Sequence, residues 1–294
     1  MAILNQNTPG TVVGLLAAWR LGAAVMPLSP MLTSRELVHY LKDGEPAAVL
    51  VGQVQAPALY SALTDWGGNS MVAVTDARDF LHDAERPALL EGIPSESELP
   101  AGWHRLDEMI SPAGRRPGRK EFFDADTALV TYTSGTTGQP KGALNSHANV
   151  AFSAEVYRRW LALCPDDVLF AAAPFSHVTG LVGHIAAAFM SGAAMVMCYR
   201  FEPATVLELL ERRGCTTTIA AITAYISLLN HPSFVPSRLA ALKKVFSGGA
   251  PVAPAVVDRW EAATGVYIHN AYGLTETTSP SHWCRSAVER RLMK

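Results

Sequence analysis

Residues 131–142 read Thr131-Tyr132-Thr133-Ser134-Gly135-Thr136-Thr137-Gly138-Gln139-Pro140-Lys141-Gly142, and we call them the glycine-hydroxyl loop. They follow the apolar run Ala128, Leu129 and Val130, which predicts a buried strand. Glycine lets a backbone approach a ligand closely, and the N–H groups of a tight loop form a concave anion site. With five serine and threonine hydroxyls as neutral donors and the charge of Lys141, this loop is suited to binding a polyphosphate.

Two other interpretations of this loop fit its residues less well. A P-loop NTPase needs glycine directly before the lysine and serine or threonine directly after it. Here Pro140, which has no N–H for a phosphate, precedes Lys141, and Gly142 follows it. A plain surface turn uses the same residue types, but it does not require five hydroxyls and a terminal lysine after a buried strand. The spacing therefore excludes the P-loop and disfavours the simple turn.

Composition restricts the class of protein. The chain has 294 residues, of which 49% are hydrophobic and 17% charged, so it can bury a sizeable core in one or two domains. A net charge of −2 provides no basic field for nucleic acid. The cysteines lack CxxC spacing, which argues against a zinc site or a disulfide framework and favours a reducing, cytoplasmic setting. They are Cys164, Cys198, Cys215 and Cys284.

The sequence predicts neither a signal peptide nor a transmembrane segment. Its first residues lack a basic stretch followed by an apolar core. Residues 168–199 contain no Asp, Glu, Lys or Arg and are long enough to span a bilayer, but Pro174, His177 and His184 interrupt them. A strand, a loop, a helix and a second strand explain this stretch better. Peripheral contact with a membrane through an acyl substrate stays open.

Short apolar runs alternate with helical patterns, which predicts an α/β fold with mostly parallel sheets flanked by helices. Strands are predicted at residues 48–51, 71–74, 129–133, 168–172, 194–198, 217–220, 245–247 and 266–269. Helices are predicted at residues 11–21, 146–161, 181–190, 203–213, 224–230 and 253–264, and after a capping box of Thr33 and Glu36. Residues 86–124 are rich in proline and are expected to form a solvated connection with a basic cluster, Arg115, Arg116, Arg119 and Lys120.

The glycine-hydroxyl loop resembles the phosphate-binding signature of the adenylate-forming superfamily, in its acyl-CoA synthetase form. Later segments resemble further motifs of that family, in the same order. They are the aromatic substrate-side motif Pro174-Phe175-Ser176-His177, the adenine-side loop Ser247-Gly248-Gly249-Ala250-Pro251, and the nucleotide and magnesium motif Asn270-Ala271-Tyr272-Gly273-Leu274-Thr275-Glu276-Thr277. The resemblance implies an AMP-dependent acid–thiol ligase with a layered αβαβα large N-terminal domain. Such a ligase activates a small carboxylic acid with ATP and Mg²⁺, and transfers it to CoA.

The resemblance also implies roles for individual residues. Those that hold the β- and γ-phosphates of ATP are Thr133, Ser134, Gly135, Thr136, Thr137, Gly138 and Lys141. Those that surround the adenine are Gly248, Gly249, Ala250, Pro251 and Tyr272, with Asn270 and Gly273 in the same nucleotide motif. Thr275 contacts the α-phosphate, Glu276 is the magnesium ligand, and both act with Lys141 as the catalytic set. Phe175 and His177 line or gate the acyl pocket.

Several of these residues also have a purely structural interpretation. Lys141 without its motif would be an exposed surface lysine. Gly248-Gly249 could form a simple strand-to-helix turn. Thr275 and Glu276 could start and cap a helix. The order of the motifs along the chain favours the nucleotide roles.

Adenylation needs no general base, so no histidine is expected to transfer a proton. The attacking carboxylate is already ionised at pH 7, so catalysis is positioning plus electrostatic stabilisation. Two roles fit His177 about equally well: a side chain that lines or gates the acyl pocket, and a partly buried side chain whose hydrogen bonds are satisfied within the fold. A role in proton transfer is disfavoured. His147 is predicted to lie at a helix N-terminus rather than to bind a ligand.

The resemblance covers residues 3–280, and we expect residues 1–280 to be a partial, truncated AMP-binding large domain. Residues 281–294 read as a charged tail without a family pattern. The family's ribose-binding aspartate, hinge and small C-terminal domain are not found, so incompleteness at both ends is expected. Two functions follow: an acyl-CoA synthetase for medium- or long-chain fatty acids, or a catalytically impaired ATP/AMP-binding fragment. No aspartate follows Pro174 to anchor an amino acid, which disfavours amino-acid adenylation.

Overall fold

The computed structural model describes residues 1–81, 98–110, 118, 121, 123–133 and 138–283. Several residues considered above lie outside this part, namely Ser134, Gly135, Thr136, Thr137, Cys284, Arg115, Arg116, Arg119 and Lys120. The chain divides into two compact units, Met1–Leu144 and Asn145–Lys294, each of which is described by itself. Both are built from parallel strands joined by helices, so the predicted α/β class is confirmed.

In the described residues of the first unit, one parallel sheet has the order β2-β1-β3-β4-β5. Its strands are β1 (Ala2–Leu4), β2 (Met26–Leu28), β3 (Ala48–Gly52), β4 (Met71–Thr75) and β5 (Trp103–Arg105). The helices are α1 (Pro9–Arg20), α2 (Ser34–Gly44), α3 (Ala56–Trp66) and α4 (Leu106–Met109). The predicted capping box is present: Thr33 Oγ1 accepts from the Glu36 N–H, and the Glu36 carboxylate accepts from the Thr33 N–H.

The glycine-hydroxyl loop joins two further strands, β6 (Thr127–Thr133) and β7 (Lys141–Ser146), which form a two-stranded sheet. β6 confirms the strand predicted at 129–133. β7 was not predicted, because the sequence extends the loop through Gly142 whereas the strand already begins at Lys141. Gly142 packs closely against β6, since an added Cβ would lie 2.8 Å from Val130 Cγ1 and one of the two would have to shift.

In the described residues of the second unit, one sheet has the order β13-β12-β11-β10-β8-β9. Its strands are β8 (Val168–Ala171), β9 (Ala194–Met197), β10 (Thr217–Ala220), β11 (Lys244–Ser247), β12 (Ile268–Leu274) and β13 (Ser279–Trp283). Neighbours are parallel except β12 and β13, which are antiparallel. The helices are α5 (His147–Trp160), α6 (Ala187–Ser191), α7 (Pro203–Arg212), α8 (Ile222–Asn230) and α9 (Pro254–Thr264). Among its described residues, Trp260, Tyr157 and Tyr225 are the largest fully buried side chains.

The second unit also corrects three predictions. The helix predicted at 181–190 is a π-helix, Thr179–Ala186, followed by the short α6. The strand predicted at 266–269 begins at Ile268 and continues to Leu274, because it pairs with the unpredicted β13. Residues 281–283, assigned to a charged tail, are the end of β13, and the rest of that tail lies outside the described residues.

The uncharged stretch 168–199 forms β8, a loop, the π-helix, α6 and β9, which confirms the predicted order of a strand, a loop, a helical segment and a second strand. In the part of the chain that the structure describes, no helix has both the length and the apolar character needed to cross a bilayer.

Candidate functional site

The glycine-hydroxyl loop presents only part of what its composition suggests. Thr131 is buried within β6, with 3% of its surface exposed, so its hydroxyl is not offered by the loop. Thr133 is half-buried at the end of β6, while Gly138 and Lys141 are exposed. The ammonium group of Lys141 is therefore accessible to an anionic ligand. The phosphate contacts assigned to this loop stay predictions.

Both stems of the loop are attached to helix α2. Tyr132 donates its hydroxyl to the Asp43 carboxylate at 2.5 Å, and its ring packs edge-on against Tyr40 with centroids 4.8 Å apart. On the other stem, the Pro140 carbonyl oxygen lies 3.1 Å from His39 Nε2. Burial and the neighbouring Asp43 carboxylate raise the pKa of Tyr132, so this hydroxyl stays a neutral donor. Sequence reasoning missed these anchors, because His39 and Asp43 lie about a hundred residues before the loop.

The adenine-side loop begins where β11 ends, at Ser247, and leads into α9. Gly248 packs against β12: an added Cβ would lie 2.8 Å from the Ala271 carbonyl oxygen. Gly249 has φ +80°, which residues with a side chain rarely adopt. The turn interpretation is thus correct as geometry. The loop also leaves Ala250 and Pro251 exposed, so a flat ligand could reach its backbone.

The nucleotide motif lies beside that loop. Ser247 pairs with Asn270 across β11 and β12, and Asn270 and Tyr272 are both exposed, Tyr272 to 58%. The structure therefore brings the two predicted adenine-binding segments together at the carboxyl ends of adjacent parallel strands. Open α/β sheets bind ligands at this edge.

Thr275 and Glu276 lie in a tight turn between β12 and β13, and not at the start of a helix, so the helix-cap interpretation is wrong. We call residues 275–279 the strained turn, because Thr278 and Ser279 have φ values of 57° and 87°. Glu276 is exposed. The Thr277 hydroxyl braces the turn by accepting from the Leu274 N–H at 2.9 Å.

Three side chains from elsewhere in the second unit hold the strained turn. Asn145 Nδ2 donates to the Thr275 carbonyl oxygen at 3.0 Å. The Ser279 Oγ lies 2.6 Å from the Tyr157 hydroxyl and 3.3 Å from Thr179 Oγ1. No sequence pattern pointed to Asn145, Tyr157 or Thr179, since they precede the turn by about 100 to 130 residues.

The substrate-side motif divides between core and surface. Phe175 is buried, with 2% of its surface exposed, and its contact with an acyl group stays a prediction. His177 is exposed, and its Nδ1 accepts a hydrogen bond from the Thr179 N–H at 3.2 Å. Partial loss of water around the ring lowers the pKa of His177, which keeps the imidazole neutral at pH 7. His147 is the first residue of α5, which confirms its predicted place at a helix N-terminus.

The carboxylate of Glu276 suits a magnesium ion that binds together with a nucleotide. In the described residues, no group of three or more His, Cys, Asp or Glu side chains could hold a metal. Magnesium is commonly bound by one or two carboxylates together with substrate phosphates and water, rather than by an all-protein cage. One exposed carboxylate on a braced turn meets that requirement.

The chain is similar to a known family and to several CoA ligases. The family model described as AMP-binding enzyme matches residues 1–293. The human mitochondrial acyl-coenzyme A synthetase ACSM6 is 27% identical over 280 residues, which are 94% of this chain and 54% of that protein. A long-chain-fatty-acid–CoA ligase of Bacillus subtilis is 24% identical over 292 residues, which are 96% of this chain and 52% of that protein.

Among solved structures, the anthranilate CoA ligase AuaEII in complex with anthranoyl-AMP matches with a TM-score of 0.85 and 22% identity. The match covers 97% of this chain and 52% of that ligase, and at this identity it shows a common fold. The chain spans about half the length of the relatives that it matches.

Proposed function

Because this chain belongs to the AMP-binding enzyme family, we propose that it activates a carboxylic acid with ATP as an acyl-adenylate. In CoA ligases of this kind, CoA then accepts the acyl group as a thioester. The observation that supports this most directly is the close approach of Gly248 to the Ala271 carbonyl oxygen. The adenine-side loop therefore lies against the strand that carries the exposed Tyr272, and we propose that the loop backbone and this aromatic ring bind one base.

The reaction needs charge stabilisation rather than proton transfer. The carboxylate oxygen attacks the α-phosphorus of ATP, the bond to the bridging oxygen breaks, and pyrophosphate leaves with the electron pair. Thiol attack by CoA would then release AMP. Lys141, with the glycine-hydroxyl loop, would hold the β- and γ-phosphates, and Thr275 would contact the α-phosphate. Magnesium, held by Glu276 and phosphate oxygens, would neutralise part of the charge that repels an incoming anion.

The acid itself is proposed as a fatty acid, with Phe175 and His177 near its pocket. The Bacillus subtilis relative is named for long-chain fatty acids, which supports this choice. The anthranilate CoA ligase takes an aromatic acid on the same fold, so the fold leaves the acid class open. A panel of acids from acetate to palmitate, with benzoate and anthranilate, would identify the class.

Nucleotide binding without turnover is the second candidate, and the length comparison favours it. The chain corresponds to 52% of the Bacillus subtilis ligase. The residues that the structure brings together in the candidate site are those predicted to contact the nucleotide. In this case, the chain would bind ATP and AMP but form acyl-adenylate poorly.

Exchange of labelled pyrophosphate into ATP separates these functions. Exchange that depends on the added carboxylic acid would support the ligase reaction. ATP binding without exchange would support the second candidate. Formation of ADP would contradict both, because neither cleaves the bond between the β- and γ-phosphates.

A further inference from the structure

The strained turn has a backbone that its own residues do not favour. Residues with a side chain rarely adopt φ values of 57° and 87°, and a β-branched threonine such as Thr278 is among the least suited. Backbone of this kind persists only where the surroundings enforce it, and it is common at functional sites. Thr278 and Ser279 are both buried, with 2% and 5% exposed, so the surrounding side chains can enforce it.

Asn145 holds one side of the strained turn. Its side chain is completely buried, and Nδ2 donates both to the Thr275 carbonyl oxygen at 3.0 Å and to Thr278 Oγ1 at 2.9 Å. A single amide group therefore fixes two points of the turn, three residues apart. One of them is the carbonyl of the threonine that carries the predicted α-phosphate contact.

Tyr157 holds the other side. Its hydroxyl lies 2.6 Å from Ser279 Oγ, and burial raises the pKa of the phenol to about 12, so the group stays a neutral hydroxyl. The ring is fixed in turn: it meets Trp283 edge-on with centroids 5.2 Å apart. It also fills the space beside Gly183, where an added Cβ would lie 2.8 Å from Tyr157 Cζ.

We propose that Asn145 and Tyr157 are positioning residues that fix the strained turn, so that Thr275 and Glu276 meet the magnesium–nucleotide complex in one preset geometry. This inference rests on the proposed function. Both residues are buried and contact the turn, so we expect them to act through its backbone and hydroxyls rather than on the nucleotide itself. A fully satisfied buried polar network rigidifies the element that it holds, which is the condition for preorganised electrostatic binding.

The test compares ATP affinity with and without the metal. Calorimetric titration of the 294-residue chain with ATP in MgCl₂ and again in EDTA gives the metal-dependent gain in affinity. Asn145→Leu keeps the size of the side chain and removes both donors, and we expect it to reduce this gain about tenfold. Tyr157→Phe removes one hydroxyl, so we expect a reduction of about threefold. Affinity in EDTA should change less, because adenine and phosphate contacts outside the turn remain.

Thr218→Val is the matched control. It removes a buried hydrogen bond of similar kind, from Thr218 Oγ1 to the Phe170 carbonyl oxygen at 2.8 Å, within the sheet and away from the turn. It should lower the melting temperature and leave the metal-dependent gain unchanged. If Asn145 only stabilised the fold, Asn145→Leu would likewise lower the melting temperature and leave the metal-dependent gain unchanged.

The outcomes distinguish failure of the positioning role from failure of the proposed function. If Asn145→Leu does not fold, the metal-dependent gain of Tyr157→Phe tests the positioning role. Folded variants that keep the wild-type metal-dependent gain would overturn the positioning role and leave the proposed function intact. A wild-type chain that shows no ATP binding would overturn the proposed function and, with it, this inference.

Discussion

The glycine-hydroxyl loop and the strained turn are two loops proposed to serve one nucleotide, and they are specified in opposite ways. The first is recognisable in the sequence, because its glycines, hydroxyls and Lys141 are consecutive. The second owes its geometry to partners such as Asn145 and Tyr157, which lie more than 120 residues earlier in the chain. A binding motif is therefore visible as consecutive residues in the sequence, whereas the residues that hold a binding loop in place are distant in the sequence.

The largest expected effect is on the first loop. Lys141→Ala removes one charge from the proposed phosphate site, so acid-dependent exchange should fall by about 10²- to 10³-fold. Because Lys141 is exposed, the free energy of unfolding should change by less than about 0.5 kcal/mol. Lys42→Ala, at another exposed lysine of the first unit, is the control and should leave both quantities unchanged. Unchanged ATP affinity in Lys141→Ala would refute the phosphate assignment.

The same substitution should have different effects in the glycine-hydroxyl loop and in β12, where Gly273 packs against the strained turn. Gly273→Ala would place a Cβ 2.0 Å from the Ser279 carbonyl oxygen, and we expect a loss of about 3 kcal/mol in the free energy of unfolding. Gly138→Ala meets no described atom within 4 Å and should cost less than about 0.5 kcal/mol. Urea unfolding measures both. Equal stability of the two variants would mean that the strained turn adapts, and that its support is unimportant.

The second unit should also respond to acid through His184. This residue is fully buried in the π-helix, where its Nε2 accepts from the Ala173 N–H at 3.0 Å. Burial lowers the pKa of His184 to about 3, so the folded chain keeps it neutral while the unfolded chain binds a proton near pH 6.5. Its contribution is complete above pH 6.5 and is lost as the pH falls toward 3.

Between pH 7 and pH 5, this difference should cost the wild type about 2 kcal/mol. His184→Gln removes the titrating group but keeps a neutral acceptor, so its stability should fall less over the same range. The two proteins are compared by urea unfolding at each pH. Parallel pH profiles would show that His184 takes up no proton on unfolding.

The smallest effect is expected at the adenine. Tyr272 is 58% exposed, so Tyr272→Ala should hardly alter stability but should weaken ATP binding by about 3- to 10-fold through lost stacking. Tyr272→Phe keeps the aromatic face and should bind as the wild type does. Titration with ATP measures the difference. If Tyr272→Ala bound ATP as tightly as the wild type, adenine would not stack on Tyr272.

Local signals explain what the sequence predicted of the fold. The predicted strand 217–220 coincides with β10, and the capping box of Thr33 and Glu36 is present, because both depend on adjacent residues. Short strands escaped prediction: β2 spans three residues with Pro27 in the middle, and β13 contains Pro280 and polar side chains. Such strands form because a neighbouring strand offers hydrogen bonds, which no local pattern records.

The candidate site shows the same division. The order of its motifs along the chain predicted that Gly248 and Tyr272 belong together, and the structure places their segments side by side. The π-helix was predicted as an ordinary helix, since its apolar residues do not reveal how the hydrogen bonds are spaced. Asn145 was not predicted as part of the site, because a single asparagine in the sequence does not show which distant residues it will contact in the fold.

Binding of a stable acyl-adenylate analogue tests directly whether this chain has a site for the proposed intermediate, because binding needs no turnover. The measurement is a calorimetric titration with hexanoyl-sulfamoyl adenosine, in which a sulfamate replaces the acyl phosphate. We expect one site per chain and an affinity at least about 100-fold above that of AMP, since the analogue imitates a tightly held intermediate. Absence of binding, or an affinity equal to that of AMP, would contradict the claim that this chain forms acyl-adenylates.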